Sequence, residues 1–534
     1  MNHEHEPNPL KPLLPEHSVS YWRDSTVQPD FPPLSESIRA EVAIVGAGIA
    51  GLTTAYVLAM DGVDVVLIEA ADILSGTTGY TTAKITSQHN LIYDELISTF
   101  GEEKAKQYYL ANEEALSFMR NLVTQHEIDC DWHEEDNVVY ATTDEYTRKI
   151  EKEMKAYDKL GINGALLPEL PLQLGAKSAI KMSGQARFHP LQYLNKLLDE
   201  AVRFGARVFT HTKAVDIDTD DEDKPKVKTA QGHTITCGNV VVATHYPFCD
   251  NLGMHFSRLH TERSYVVGVT TDTPYPGGMY ISADQPKRSL RSTAYNGQQL
   301  IIVGGEGHKT GHETDTLKMY GALEQFAKEQ FGDIAIPYRW SAQDVVTLDR
   351  VPYIGPITGK HPHVHIATGF HKWGMSNGTL SALLLRDMIA GRDNSYAELF
   401  APSRFHAGSD IKTFVVQNAD VAKNYVKGKM ETINRDPGEL QKCEGAVVTM
   451  NGKRAGAYKD ENGNYHVVDT TCTHMGCELE WNNGERSWDC PCHGSRFSYT
   501  GDVIEGPATK ALSKMDWPED FEEIEIVSKN KPIR

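Results

Sequence analysis

The sequence predicts a multidomain α/β protein with a small all-β domain at its C-terminal end. Three observations predict it. Residues 41–69 form a strand–turn–helix–strand pattern punctuated by glycines. Residues 260–340 alternate apolar and polar positions with frequent Gly, which suggests antiparallel strands. After about residue 430 short strands and Gly-rich turns dominate, and five of the eight cysteines fall in the last hundred residues. With 534 residues the chain is too long for one ordinary core.

The first element is the most specific. Glu41 to Val45 is a short β run, Ile49 to Met60 carries apolar residues at helical spacing, and Val63 to Glu69 is a second β run. Between the first strand and the helix lies Gly46-Ala-Gly48-Ile-Ala-Gly51. In this context the first glycine makes a tight turn, the second lets the backbone approach a pyrophosphate, and the third lets the helix pack on the sheet. The helix N-terminus favours the phosphate charge. Glu69, 23 residues after Gly46, is placed to accept ribose hydroxyls. The expectation is a Rossmann-like dinucleotide-binding domain, and the spacing alone leaves FAD and NAD both open.

The remaining elements follow in order. Residues 1–40 read as an irregular, Pro-rich leader. Helices are expected over 90–126, broken near Gly101, over 144–160 and over 190–204, with strands at 206–217 and 240–243. An apolar helix runs from Leu380 to Ile389 and ends near Gly391. Residues 401–430 resemble a linker with one helix, 420–429, and residues 431–534 form the all-β domain.

Composition narrows the function classes. Hydrophobic residues make up 40% and charged residues 24%, as in soluble globular proteins. A net charge of −20 disfavours nucleic acid and anionic membranes as partners. No segment reaches the roughly 18 apolar residues of a membrane span. Met1 to Pro15 lacks the apolar stretch of a secretory signal, so a cytoplasmic location is expected. There, a cysteine cluster reads as a metal site before it reads as a disulfide framework.

That cluster has a pattern. Cys472-Thr-His474 is followed, sixteen residues on, by Cys490-Pro-Cys-His493. Each half offers one thiolate and one imidazole. A Rieske 2Fe-2S centre needs that set, with two Cys on one iron and two His on the other. A structural zinc site is the other reading, although zinc pairs usually begin C-x2-4-C and the first pair here is C-x-H.

Residues 443–515 resemble the Rieske domain of cytochrome bc complexes, with Cys-Thr-His-Met-Gly-Cys and Cys-Pro-Cys-His-Gly-Ser intact. The resemblance implies that Gly506-Pro507 belongs to the loop covering the cluster and that Cys477 and Cys492 form a disulfide between the two ligand loops. It also implies hydroxyl donors to the cluster sulfurs from a Ser and a Tyr. Ser495 keeps the first, but Phe497 stands at the second, with Tyr499 two residues further on. A potential in the middle of the Rieske range of about −150 to +300 mV is the consequence.

A second resemblance covers residues 40–400. After Glu69 comes Ser75-Gly-Thr77-Thr78-Gly-Tyr-Thr-Thr-Ala-Lys84, and far downstream Asp349-Arg-Val-Pro-Tyr-Ile-Gly355 and Ala367-Thr-Gly369-Phe-His371-Lys372-Trp-Gly374-Met-Ser-Asn-Gly378. These resemble the flavin segments of the D-amino-acid-oxidase-like FAD family, which includes glycine and sarcosine oxidases. The whole chain is similar to the YhfW-type fusion oxidoreductases. The resemblance implies FAD as cofactor, contacted by Gly46, Gly48, Gly51, Glu69, Thr77, Thr78, Gly369, Gly374 and Gly378. It puts Val215 beside the adenine and Ala243 at a strand end next to the cofactor. It divides the flavoprotein unit, 41–400, into FAD-binding segments at about 41–95, 180–255 and 340–400 and a substrate domain at about 96–179 and 256–339. The substrate domain's antiparallel sheet then covers the flavin face. Attachment of the flavin through a cysteine of the late cofactor segment is excluded, because no Cys occurs between Cys249 and Cys443, while attachment through a histidine stays open.

The expected activity is FAD-dependent oxidation of a small organic donor, an amine or amino acid by family analogy, with electrons leaving through the cluster to an external acceptor. Arg263, Tyr265, Arg288 and Arg291 are candidates to meet a substrate carboxylate, since Arg offers a bidentate fork; most Arg in such a sheet are instead solvated or salt-bridged. His371 and Lys372, in the flavin-edge loop, are candidates for proton or charge transfer. Of these, His371, Lys372, Arg291 and Tyr265 are taken as the catalytic set. A reductase with electrons entering at the cluster, and a non-catalytic redox sensor, are the alternatives.

Overall fold

The computed structural model describes residues 15, 18–404, 409–431, 435–450 and 452–516. The first fourteen residues of the leader and the end of the chain lie outside them. The chain forms two compact units, one of residues 1–307 and 318–414, the other of residues 308–317 and 415–534.

The first unit contains a six-stranded sheet in the order Tyr353–Thr358, His361–Thr368, Asn239–Val242, Val42–Val45, Val65–Ile68, Arg207–Phe209. Every pair is parallel except the Tyr353–Thr358/His361–Thr368 hairpin. Val42–Val45 and Val65–Ile68 are wholly apolar and buried because both faces are covered: Val42, Ile44, Val65 and Leu67 pack with helix Ile49–Met60, and Ala43, Val45, Val66 and Ile68 with Ala214, Ile217, Val227 and Ile235 of a four-stranded sheet. Val42–Val45 lies between strands that follow it in opposite directions along the sheet, the switch point where such folds bind nucleotides. The expected strand at 206–217 is two strands. His211 takes a φ of +48°, and the chain leaves Arg207–Phe209 to join a four-stranded sheet as Ala214–Asp218.

A nine-stranded sheet completes this unit. Its order is Ala335–Thr347, Leu259–Thr270, Gln298–Lys309, Arg288–Tyr295, Met279–Ser282, His133–Ala141, Ser178–Arg187, Lys84–Ile85, with Gly164–Leu167 paired to Ser178–Arg187. Among its registered pairs only Met279–Ser282/His133–Ala141 is parallel, where the sheet joins segments far apart in sequence. Its strands run past residues 179 and 339, the expected ends of the substrate domain. A helix, Leu317–Phe331, lies where strands were expected; Tyr320, Leu323, Ala327 and Phe331 are its buried stripe at helical spacing.

The helix expected from Leu380 begins earlier, at Gly374, and runs to Ile389. It packs on helix Ile49–Met60, and Gly378 permits the approach: a Cβ there would lie 2.8 Å from Ile49 Cγ2. Part of the leader is ordered into this unit. Ser20 caps the short helix Tyr21–Asp24, and Trp22 is fully buried with its indole N–H donated to Thr81 O at 2.7 Å.

The second unit has two antiparallel sheets, Glu444–Met450/Lys453–Lys459/Tyr465–Val468 and Glu480–Asn482/Ser487–Asp489/Arg496–Ser498/Val503–Glu505. Trp488, Leu479 and Phe497 form its core together with the cysteines. Arg496, buried, is held between Asp489 at 3.1 Å and Glu505 at 3.2 Å. The helix expected at 420–429 is the C-terminal part of a longer one, Ser409–Met430.

Candidate active site and iron–sulfur centre

The glycine turn has the conformation that its chemistry asks for. Gly46 has φ +103°, and a Cβ on it would lie 2.6 Å from Ala243 O. A Cβ on Gly51 would lie 1.9 Å from Gly46 O, so the helix seats on the strand only without one. Gly48 precedes the first helical residue with no side-chain cap, and the Ile49 N–H is donated to Thr78 Oγ1 at 3.1 Å. Thr77 Oγ1 donates to Gln343 O at 3.1 Å. Glu69 accepts from the Ala47 and Ala71 N–H groups at 2.8 and 3.1 Å. Burial pushes its carboxyl above the usual range, against the pull of these N–H groups. Ala243 ends the neighbouring strand with its N–H on Val45 O. Val215 lies in the four-stranded sheet with its side chain exposed.

The late cofactor segment adds a second helix start. Gly369 has φ +76°, and a Cβ there would lie 2.3 Å from Thr347 Cγ2. Helix Gly374–Ile389 begins at Gly374, where a Cβ would meet nothing within 4 Å. Behind it Trp373 stacks on His89 at 4.8 Å and 16°, and His89 bonds Tyr108 Oη at 2.6 Å and Ser376 Oγ at 3.0 Å. Two uncapped helix N-termini, one against a glycine cradle and one opening on free space, fit a dinucleotide carrying a flavin ring.

His371 and Lys372 come together with residues that sequence reasoning missed. His371, at φ +54°, donates its backbone N–H to Val345 O at 2.9 Å, which fixes the loop to strand Ala335–Thr347. Its Nε2 lies 4.0 Å from Glu262 Oε2, and Lys372 Nζ lies 3.5 Å from the same oxygen. Lys372 also donates to Ser264 Oγ at 2.6 Å, and His260 Nε2 lies 3.9 Å from Glu262 Oε1. Burial opposes ionisation of Glu262, but His260 and Lys372 outweigh it and hold the carboxyl below its ordinary range. Burial keeps the His371 imidazole neutral, and lowers Lys287 to about 8. Glu262 and Asp344 are cross-strand partners, so both project from one face of the sheet. In the structure His260, Glu262 and Ser264 are the less buried positions alternating with buried ones along Leu259–Thr270, and because the buried Thr261 and Arg263 are polar too, the sequence did not mark this face.

The other candidates are elsewhere. Tyr265 follows Ser264 and points to the opposite face, where its fully buried ring meets Tyr320 edge-on at 5.0 Å. Arg291 is fully buried, donates Nη1 to Ala83 O at 2.6 Å and Phe188 O at 3.3 Å, and lies over the Trp22 ring at 5.1 Å. Arg263 donates to Ser341 Oγ, and Arg288 pairs with Glu306. Among the described residues Arg288 and Arg291 make no hydrogen bond or ion pair with Glu262, His371 or Lys372.

In the second unit each ligand loop is a closed turn. Cys472 donates its N–H to Cys477 O, and Gly476 returns one to Cys472 O; Cys490 donates to Ser495 O, and Gly494 to Cys490 O. Cys472 and Cys490 are buried. The neighbouring thiol is the largest influence on each, and it lowers Cys472 and raises Cys490. The His474 and His493 rings meet edge to face at 4.9 Å. Burial pushes His493 down to about 3, leaving the neutral imidazole that a metal requires. Cys477 and Cys492 are joined as a disulfide, which leaves Cys472 and Cys490 as the loops' free thiols. Ala508 N–H donates to Ser495 Oγ at 3.0 Å and Thr473 Oγ1 to Lys510 O at 2.6 Å, so the 506–510 segment is tied to both loops. Two buried thiols facing two adjacent imidazoles fit a 2Fe-2S cluster with mixed ligands.

Comparison with known proteins gives the same division. Residues 41–388 match the DAO family, described as FAD dependent oxidoreductase, and residues 433–516 match the Rieske [2Fe-2S] domain. The chain is 46% identical over 497 residues to the putative Rieske 2Fe-2S iron-sulfur protein YhfW of Bacillus subtilis, covering 93% of this chain and 97% of that protein. It is 24% identical over 418 residues to the gamma-glutamylputrescine oxidoreductase of Escherichia coli, covering 72% of this chain and 93% of that one. Glycine oxidase from Geobacillus kaustophilus shares the fold, with a TM-score of 0.59 at 19% identity over 69% of this chain and 99% of the oxidase.

Proposed function

The chain belongs to the DAO family of FAD dependent oxidoreductases and carries a Rieske domain, and on that premise we propose that it oxidises an amine or amino acid and delivers the electrons to an external acceptor. When bound, FAD supplies two-electron oxidation of the donor and the cluster supplies one-electron transfer. The glycine turn and Glu69 hold the dinucleotide, and the Gly374 helix end favours negative charge on the flavin. Glu262, held ionised, and Lys372 orient a polar donor. The neutral His371 accepts the proton released as the donor is oxidised. Tyr265 and Arg291 stabilise the sheet from other positions. The cytoplasmic reading rests on sequence composition, and no described helix is long and apolar enough to cross a membrane.

The observation that carries the proposal is the cluster of Glu262, on strand Leu259–Thr270, with His371 and Lys372 on the loop leading into the Gly374 helix. The test is anaerobic mixing with a panel of amines and amino acids. One donor class bleaches the flavin rapidly, and Glu262→Gln slows that bleaching. A flavin that no donor reduces, but that is reduced when electrons are supplied to the cluster, would establish a reductase instead.

A further inference from the structure

We propose that residues 308–317, far upstream of the cluster motif, are a working part of the iron–sulfur site and position its second ligand loop. The Rieske family match begins at residue 433, so this segment lies outside it. Yet it belongs to the same compact unit as residues 415–534.

The segment is fastened at both ends. Lys309 pairs with Asp420 and reaches Gln417 Oε1 at 3.2 Å, both on helix Ser409–Met430. At the far end Thr316 Oγ1 donates to Asn482 Oδ1 at 2.6 Å and accepts the Gly484 N–H at 2.9 Å, while Asn483 Nδ2 donates to Asp315 Oδ1 at 3.0 Å. Between these anchors the chain presses on Cys490-Pro-Cys-His493. Gly311, at φ +74°, approaches so closely that a Cβ would lie 2.6 Å from Pro491 N and 2.8 Å from Cys490 C. That is backbone against backbone, with no flexible side chain to give way. His312 Nε2 lies 3.2 Å from Pro491 O, with Asn424 Nδ2 at 3.3 Å and Asp420 Oδ2 at 3.7 Å from the same nitrogen; carrying the proton there, it donates to Pro491 O. Burial lowers the His312 pKa, against the pull of Asp420.

Pro491 sits next to Cys490 and two residues before His493, and it has no N–H of its own. Its carbonyl is therefore the one backbone polar group through which this residue can be held. Contacts outside a ligand set orient the ligands and tune the metal. Gly311 and His312 are positioning residues: they hold the loop that presents Cys490 and His493.

The test uses the full-length protein with Gly311→Ala, His312→Ala and His312→Gln. Gly452→Ala serves as control, because Gly452 has the same kind of backbone, φ +73°, but nothing within 4 Å of a Cβ. Iron, labile sulfide and flavin per chain, the electron paramagnetic resonance spectrum and the cluster potential are measured. Gly311→Ala is expected to lose at least half of its iron at unchanged flavin content, while Gly452→Ala keeps its iron. His312→Ala is expected to keep iron but show a changed spectrum and potential, which His312→Gln restores through its amide donor. If Gly311→Ala does not fold, the His312 pair decides alone. Wild-type spectra and potential in His312→Ala, or equal iron loss in Gly311→Ala and Gly452→Ala, would overturn the proposal.

Discussion

At the scale of single residues, the cluster's potential is set by what donates to its sulfurs. Ser495 is fully buried in the second ligand loop, its Oγ accepts the Ala508 N–H at 3.0 Å, and it helps to lower the Cys472 thiol. Phe497 is fully buried in the core beside the cysteines and has no hydroxyl to offer. Tyr499 does not replace it, because its ring packs on Tyr458 at 4.7 Å and His466 at 5.0 Å. Ser495→Ala should therefore lower the potential, and Phe497→Tyr should raise it. One hydrogen bond of about 1 kcal/mol corresponds to a shift on the order of 50 mV for a one-electron couple. A redox titration of both variants checks the signs; shifts in the opposite direction would show that hydroxyl donors do not set the potential. Asp349 makes a second residue-scale prediction. Burial opposes its ionisation, but the two-pronged pairing with Arg404, at 2.8 Å on each oxygen, outweighs burial and holds the carboxyl below its ordinary value. A lowered carboxyl adds stability that is fully present above its unfolded value of about 3.9 and is lost as pH falls through its folded value. Asp349→Asn, which leaves Arg404 buried without its charge partner, should cost about 3–5 kcal/mol at pH 7. In urea unfolding, the gap between wild type and variant should narrow below about pH 4. A gap that stays constant as pH falls well below about 4 would show that the pair is not what the variant removes.

At the scale of elements, the glycine turn and helix Ile49–Met60 act as one device. Gly51→Ala places a Cβ 1.9 Å from Gly46 O, so strand and helix must separate. The variant should purify without flavin while keeping its iron, because the cluster ligands lie in the other compact unit; full flavin occupancy by absorbance would contradict this. These elements were legible in the sequence because their chemistry is local. Gly46, Gly48, Gly51 and Glu69 fall within one strand–turn–helix–strand unit, and each cluster ligand pair falls within one short loop. What was not legible depends on register and tertiary contact. Glu262 becomes a candidate only once Leu259–Thr270 pairs with Ala335–Thr347 and the His371 loop is pinned to Val345. Alternation along a strand separates Ser264 from Tyr265, but it does not say which face meets the cofactor. Helix Leu317–Phe331 was hidden because glycine-rich strands before it set the texture of the region, although its own apolar spacing is helical.

At the scale of the whole molecule, a family of two-electron flavin oxidoreductases is joined in one chain to a one-electron carrier. That union makes sense if electrons leave the flavin through the cluster, and not through oxygen. The most direct test is hydrogen peroxide yield per donor oxidised in air, measured with the cluster's paramagnetic signal during single turnover and with an artificial one-electron acceptor present. The account predicts peroxide far below one per donor, a reduced cluster signal that follows flavin bleaching, and turnover that depends on the added acceptor. One peroxide per donor, with the cluster signal unchanged, would make the protein a plain oxidase and contradict the account.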